Sequence, residues 1–255
     1  MSELCFTILL TALIGLAVGS FLNVCIYRIP VAESIVTPPS KCPSCDKRLK
    51  PTDLVPVLSY LFLRGRCRYC NTAISPRYAL IEILTAALFI LVTLKIGVGF
   101  TLLKYLFATS ILIVVTFIDL DHFIIPDKIV IAGLTGGALL LPLTREFSVL
   151  NALYGIAAAS GFLLFLNIVS RGGMGMGDVK FAAFIGIILG WPLSLVAILL
   201  ACFVSGLTGI ILIISGLKTR KDPIPFGPFL SAGTFICYLW GRELIDLYLG
   251  FIISL

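Results

Sequence analysis

The chain alternates long apolar runs with short polar breaks from one end to the other. Eight runs stand out: Leu4–Tyr27, Tyr78–Leu94, Thr101–Ile118, Ile129–Pro142, Val149–Val169, Val179–Gly190, Leu193–Gly216 and Phe226–Tyr238. About 20 apolar residues suffice for a helix to cross the hydrocarbon of a bilayer. The pattern predicts an all-α polytopic membrane protein with about eight transmembrane helices. Several runs are shorter than that length. Such helices demand a thinned bilayer or polar flanks held below its surface. Gly190-Trp191-Pro192 reads as a turn between the sixth and seventh runs. The first run reads as a span rather than a secretory signal: no basic segment precedes it, and its 24 residues exceed a signal core.

One break is longer than the rest and divides the chain. Residues 1–27 form the first membrane helix, 28–77 a polar insert, and 78–255 a membrane core. Composition agrees with a membrane class: 59% of residues are hydrophobic, the mean hydropathy is +1.11, and only 13% are charged. A soluble domain would be about a quarter charged. The net charge of +6 is an orientation signal. Fifteen of the 19 basic residues fall on the side of the insert and four on the other. The excess of Lys and Arg puts the insert in the cytoplasm and both termini outside. The charge needs no nucleic-acid partner to explain it.

The insert carries Cys42-Pro43-Ser44-Cys45 and Cys67-Arg68-Tyr69-Cys70, two knuckles separated by 21 residues. This spacing fits a four-thiolate zinc site, because each tight turn delivers two sulfurs to one ion. Four sulfur ligands leave no open coordination position, so the zinc is expected to be structural. A reducing cytoplasm argues against disulfides. An insert of about 50 residues with few aliphatics gains from a metal the stability that a small core lacks. Cys5, Cys25, Cys202 and Cys237 fall within spans, where small buried hydrophobes are the default.

A single histidine, His122, removes the H-E-x-x-H zinc proteases. No G-x-S-x-G elbow accompanies it, and no glycine-rich phosphate loop is present. Acidic residues at the ends of membrane runs remain. One cluster is Phe117-Ile-Asp-Leu-Asp-His-Phe-Ile-Ile-Pro-Asp127, with Asp119, Asp121 and Asp127; the other is Gly173-Met-Gly-Met-Gly-Asp178. Ionisable groups in spans are costly and mark functional sites. The predicted topology brings both clusters to the cytoplasmic face. Two facing carboxylates hold one proton between them, which suits them to activate water and polarise a carbonyl. Asp119 and Asp121, two residues apart, point to opposite faces of a helix, and Asp119 is the deeper. Asp127 reads as an interfacial residue or a helix cap after the break at Pro126. Gly175 and Gly177 leave room for an extended substrate to approach. Lys180 would leave Asp178 on another helical face and meet headgroups or substrate. Glu82, five residues after Arg77, reads as half of a local interfacial ion pair.

Taken in order, these residues resemble the type IV prepilin leader peptidase and N-methyltransferase family. The motifs are Gly19-Ser-Phe-Leu-Asn-Val-Cys-Ile-Tyr-Arg-Ile-Pro30, the paired knuckles, Ser75–Ala86, Ile118–Asp127, Gly175–Lys180 and Pro225–Gly233. The resemblance implies a G-x-G-D aspartic membrane protease whose catalytic pair is Asp119 and Asp178. It implies prepilin or pseudopilin substrates of type IV pilus assembly or type II secretion. Their basic leader would be cut after a glycine at the cytoplasmic side of the bacterial inner membrane. It also implies methylation of the new N-terminus from S-adenosylmethionine. No soluble-type methyltransferase motif is present, so no residue is assigned to that step. Pro126 and Gly227, in helix interruptions at similar depth, are candidates with Gly175, Gly177 and Lys180 to line the substrate groove. A transporter would place acids near mid-bilayer in repeated halves, and no repeat is evident. A presenilin-like protease with another substrate is the alternative. That group carries Pro-Ala-Leu near its C-terminus, where this chain has Pro225-Phe-Gly-Pro-Phe-Leu230.

Overall fold

The computed structural model describes residues 2–219 and 222–253 and is all-helical apart from the insert. Its helices are α1 (Ser2–Arg28), α2 (Leu58–Phe62), α3 (Arg77–Ile96), α4 (Phe100–His122), α5 (Asp127–Thr144), α6 (Val149–Val169), α7 (Met176–Leu189), α8 (Leu193–Ile214) and α9 (Gly227–Ile253). Among the described residues, six helices, α1, α3, α4, α5, α6 and α8, are long and apolar enough to cross a membrane. The chain is therefore a multi-pass membrane protein. It folds as two units, residues 1–97 and 98–255.

In the first unit α1 pairs with α3 along a seam of small residues. A Cβ at Gly15 would lie 2.6 Å from Ala86 Cα, and one at Gly19 would lie 2.7 Å from Glu82 Cα. Close backbone approach of this kind is how helices associate where lipid offers no hydrophobic drive. Polar groups close the seam at both ends. The Asn23 amide donates to the Tyr78 carbonyl at 3.0 Å, and the Thr93 hydroxyl reaches Thr11 at 3.4 Å.

The insert between them has two copies of one local fold. Cys42 N–H donates to Lys47 O and Asp46 N–H to Cys42 O; Cys67 N–H donates to Thr72 O and Asn71 N–H to Cys67 O. Asp46 and Asn71, each just after a second cysteine, adopt the left-handed conformation at φ 54° and 59°. Asp and Asn tolerate it best among residues with a Cβ. Asp53 ties the copies together, with Arg68 Nε at 2.6 Å and the Tyr69 hydroxyl at 3.0 Å. Burial works against its ionisation, yet Arg68, the Lys50 backbone N–H and Tyr69 outweigh it. The carboxyl lies below the usual range.

The second unit is built around α7. Phe181, Ala182, Phe184, Ile185 and Ile188 are fully enclosed, chiefly by α5, α6, α8 and α9. At 14 residues this helix is about 21 Å long, well short of the ~30 Å hydrocarbon layer. Neither a thinned bilayer nor sunken flanks resolves the shortfall: α7 is surrounded by protein. The last helix departs from its expected length, running to Ile253 rather than 238. Pro142 lies inside α5 rather than ending it.

A buried cation holds the far end of α7. Lys104, on α4, is fully enclosed and pairs with Glu146, while its ammonium also donates to the Ile188 carbonyl at 3.1 Å. Tyr105 donates to the other Glu146 oxygen at 3.0 Å. The ammonium thus satisfies a carbonyl in the last turn of α7, which has no partner within the helix. Removing one partner of a buried pair strands the other charge, at a cost of about 3–5 kcal/mol. Lys104→Met is expected to lose stability on that scale in equilibrium unfolding from mixed micelles. Lys104→Met combined with Glu146→Gln is expected to recover part of the loss.

Candidate active site

Asp119 lies in the last turn of α4 and is 5% exposed, whereas Asp121, in the same turn, is exposed. The helical offset expected between them is present. The Gly227 N–H, at the start of α9, donates to Asp119 Oδ2 at 2.7 Å. A Cβ at Gly227 would lie 2.9 Å from that oxygen and 3.1 Å from Asp119 Cβ. The Pro-Phe-Gly-Pro break therefore supplies a donor that only a glycine lets come this close.

Asp178 is the third residue of α7, in its first turn. A Cβ at Gly175 would lie 3.2 Å from Asp178 Oδ2, so this carboxylate also has a glycine alongside. The preceding loop is held by Asn167 on α6, whose amide donates to the Met174 carbonyl. Gly172 takes a positive φ of 84° as the chain leaves α6. Irregular backbone at membrane depth is tolerated where it lines a cavity or is covered by protein.

Both aspartates line one cavity of about 510 Å³. Gly173, Met174 and Gly175 line it too, as do Phe123 and the segment Pro223–Phe226. From α8 come Cys202 and Ser205, three residues apart and so on one helical face. These two were not anticipated. Small polar side chains recur along this apolar helix, at Ser194, Ser205 and Thr208, and nothing in the sequence singles out Cys202 and Ser205. Cys202 is accordingly a wall residue, and Cys5 is exposed on α1; neither is the buried hydrophobe expected. Cys25 and Cys237 are buried.

The remaining groove candidates, Gly177, Lys180, Pro126 and Gly227, are not among the residues that line the cavity. Gly227 contributes its N–H, as described. Gly177 packs against Ile125, its would-be Cβ 3.2 Å from the Ile125 Cβ. Pro126 precedes α5 as its N-cap residue, and Asp127 is the first residue of that helix rather than its cap. The Lys180 ammonium contacts both Asp127 oxygens, at 2.8 and 3.0 Å. Together Ile125 and Asp127 dock the α4–α5 connection onto the first turns of α7. The same connection begins with Phe123, left-handed at φ 55°, whose N–H donates to the Asp119 carbonyl at 2.9 Å. His122 is an exposed residue of the last turn of α4. Glu82 is buried and accepts the Val57 N–H at 2.7 Å.

The insert holds the second chemical cluster. The Sγ atoms of Cys42, Cys45, Cys67 and Cys70 all lie within 4.8 Å of one another. The Cys42 and Cys70 sulfurs are 3.8 Å apart. A regular tetrahedron of sulfurs at the Zn–S bond length has edges of about 3.8 Å. The Thr72 hydroxyl lies 3.3 Å from the Cys70 sulfur.

Known proteins give a consistent context. Residues 13–96 match the bacterial Peptidase A24 N-terminal domain, and residues 106–210 match the type IV leader peptidase family. The chain belongs to that family. It is 34% identical to the prepilin leader peptidase/N-methyltransferase of Bacillus subtilis (strain 168), covering 92% of this chain and 95% of that one. It is 36% identical to the protein of the same name from Aeromonas hydrophila, over 94% of this chain and 93% of the relative. The corresponding protein of Pseudomonas aeruginosa is 33% identical, over 96% and 94%. No solved structure matches the chain. Family membership makes the protein an enzyme of the peptidase and methyltransferase class.

The thiol cluster yields a direct expectation. Purified protein titrated with cobalt(II) should develop the charge-transfer absorption of a tetrahedral thiolate site. Cys42→Ser combined with Cys67→Ser should abolish that absorption.

Proposed function

We propose that the protein removes the basic leader of type IV prepilins or pseudopilins and then N-methylates the new N-terminal residue. Cleavage occurs after a glycine at the cytoplasmic face of the bacterial inner membrane, with Asp119 and Asp178 as the catalytic pair. The observation that carries this reading is that carboxylates 59 positions apart in the chain line one cavity in a membrane protein. The relatives' names supply the substrate class and the second activity.

The chemistry needs one proton on the pair. The ionised carboxylate takes a proton from a water as its oxygen bonds to the scissile carbonyl carbon. The protonated partner gives its proton to the carbonyl oxygen. Collapse of the tetrahedral intermediate breaks the C–N bond: the amine leaves with the proton held by the first carboxylate, and the second carboxylate takes back a proton from the hydroxyl that becomes the new carbonyl oxygen. The Gly227 N–H orients Asp119 throughout. Gly175 and the Pro223–Phe226 backbone are the surfaces along which an extended leader would lie. Methyl transfer uses S-adenosylmethionine as donor.

In this reading α7 and α9 join the six apolar helices to make eight transmembrane spans, with both termini outside and the active site at the cytoplasmic side. The four cysteines hold a structural zinc. Its role is to fix the two knuckles to each other, and it takes no part in hydrolysis.

Reconstituted protein with a prepilin substrate is expected to release the leader, followed by mass. Asp119→Asn and Asp178→Asn should each stop cleavage while unfolding at the parent temperature. Normal cleavage by either variant overturns the assignment of the pair. Gly227→Ala, by displacing the Asp119 carboxylate by a fraction of an ångström or more, should slow cleavage by up to about 100-fold. A gain of one methyl in the product, dependent on S-adenosylmethionine, tests the second activity.

A further inference from the structure

The insert carries a ridge of apolar side chains that nothing in its own fold covers. On α2, Leu58, Leu61 and Phe62 share one face, at the i, i+3 and i+4 positions. Leu61 is 63% exposed and Phe62 85%, and Leu54 and Val55 extend the ridge. The opposite face is occupied: the Tyr60 ring packs over Gly65, and its hydroxyl reaches the Ile74 carbonyl at 3.5 Å. A polar insert of this size has no structural need to display a phenylalanine in water.

A hydrogen bond fixes the level of this ridge. The Val57 N–H, immediately before α2, donates to the buried carboxylate of Glu82 at 2.7 Å. Glu82 is five residues into α3, a membrane-crossing helix, and so about 7.5 Å along its axis from Arg77. Even with the carboxylate reaching back toward the helix start, α2 begins beside α3 rather than beyond it. The headgroup layer on each side of a bilayer is about 5–7 Å deep. The level of α2 is therefore that layer, not bulk water. Arg64 and Arg66 follow the ridge directly, both exposed and neither in an ion pair among the described residues.

We propose that α2 is an interfacial anchor for anionic lipid. Leu58, Leu61 and Phe62 enter the boundary between headgroups and acyl chains, and Arg64 and Arg66 meet lipid phosphates. The arrangement has the two components of peripheral membrane binding, buried apolar area and attraction to anionic headgroups. Charge complementarity favours a lipid surface over an apolar groove of another protein, which would leave the two guanidinium groups without counter-charges. The anchor holds the metal-binding knuckles against the leaflet, so that the insert is a membrane-surface module rather than a free cytoplasmic domain.

The test places a reporter at the tip of the ridge. Phe62→Trp fits without a clash at an exposed site, and its emission is taken as the difference from the parent, which has two tryptophans. Full-length protein is reconstituted in nanodiscs containing phosphatidylglycerol, with or without brominated acyl chains. The added emission is expected to be quenched by the brominated lipid and protected from aqueous acrylamide. Replacing phosphatidylglycerol with phosphatidylcholine should shift the balance toward acrylamide, and Arg64→Gln with Arg66→Gln should remove that lipid dependence. Quenching by acrylamide alone would overturn the proposal, placing the ridge in water. Protection from both quenchers would also overturn it, pointing to a protein on the ridge, and so would lipid quenching indifferent to headgroup charge.

Discussion

A helix too short for the bilayer is the constraint on which the second unit depends. With 14 residues α7 cannot present an apolar surface across the whole hydrocarbon layer. Its first turn, carrying Asp178, would fall within the membrane if lipid surrounded it. The neighbouring helices resolve this by enclosing α7 and leaving a cavity at its N-terminal end. The acid is thus kept away from acyl chains without being moved to bulk water. At the other end, Lys104 and Glu146 secure α7 through the Ile188 carbonyl. A short enclosed helix pinned at its far end has little freedom to slide, and Asp178 is correspondingly fixed in depth.

The same logic governs Asp119. Its helix is long and spans readily, so depth alone would not bring it to Asp178. The left-handed turn at Phe123, the packing of Ile125 on Gly177 and the contact between Asp127 and Lys180 wrap the end of α4 around the start of α7. The Lys180–Asp127 pair is exposed on both sides, and such pairs contribute at most about 1 kcal/mol. The apolar docking of Ile125 is therefore the stronger part of the join. Gly227 completes the arrangement with a backbone donor that replaces water at Asp119 Oδ2.

Much of this was legible in the chain, for reasons that differ by element. Apolar runs have sharp edges, so α6 falls at its expected bounds and α1, α3, α4, α5, α7 and α8 within about four residues of theirs, whereas α2, inside the insert, had no predicted counterpart. That Asp119 and Asp121 face opposite ways followed from helical geometry, and the apolar run directly before Asp119 marked it as the deeper. The two knuckles were readable because four sulfurs and a short spacing admit few arrangements. Other features were hidden because they depend on contacts between distant segments. Nothing local marks Lys180 as the partner of Asp127, or Lys104 as a buried cation in a span. Cys202 and Ser205 face the cavity only because α8 happens to turn that side inward. Glu82 looked like half of a local ion pair, yet the Val57 backbone, 25 residues away, is bonded to its carboxylate.

The central claim is that Asp119 and Asp178 act on each other as one titrating unit, and carboxyl resonances report this directly. Side-chain 13C-labelled aspartate, followed through a pH titration of the full protein in a bilayer, would give the Asp178 curve in the parent and in Asp119→Asn. Coupled groups share their macroscopic steps. The Asp178 titration is therefore expected to move when Asp119 loses its charge. An Asp178 curve that is identical in the two proteins would contradict the pairing.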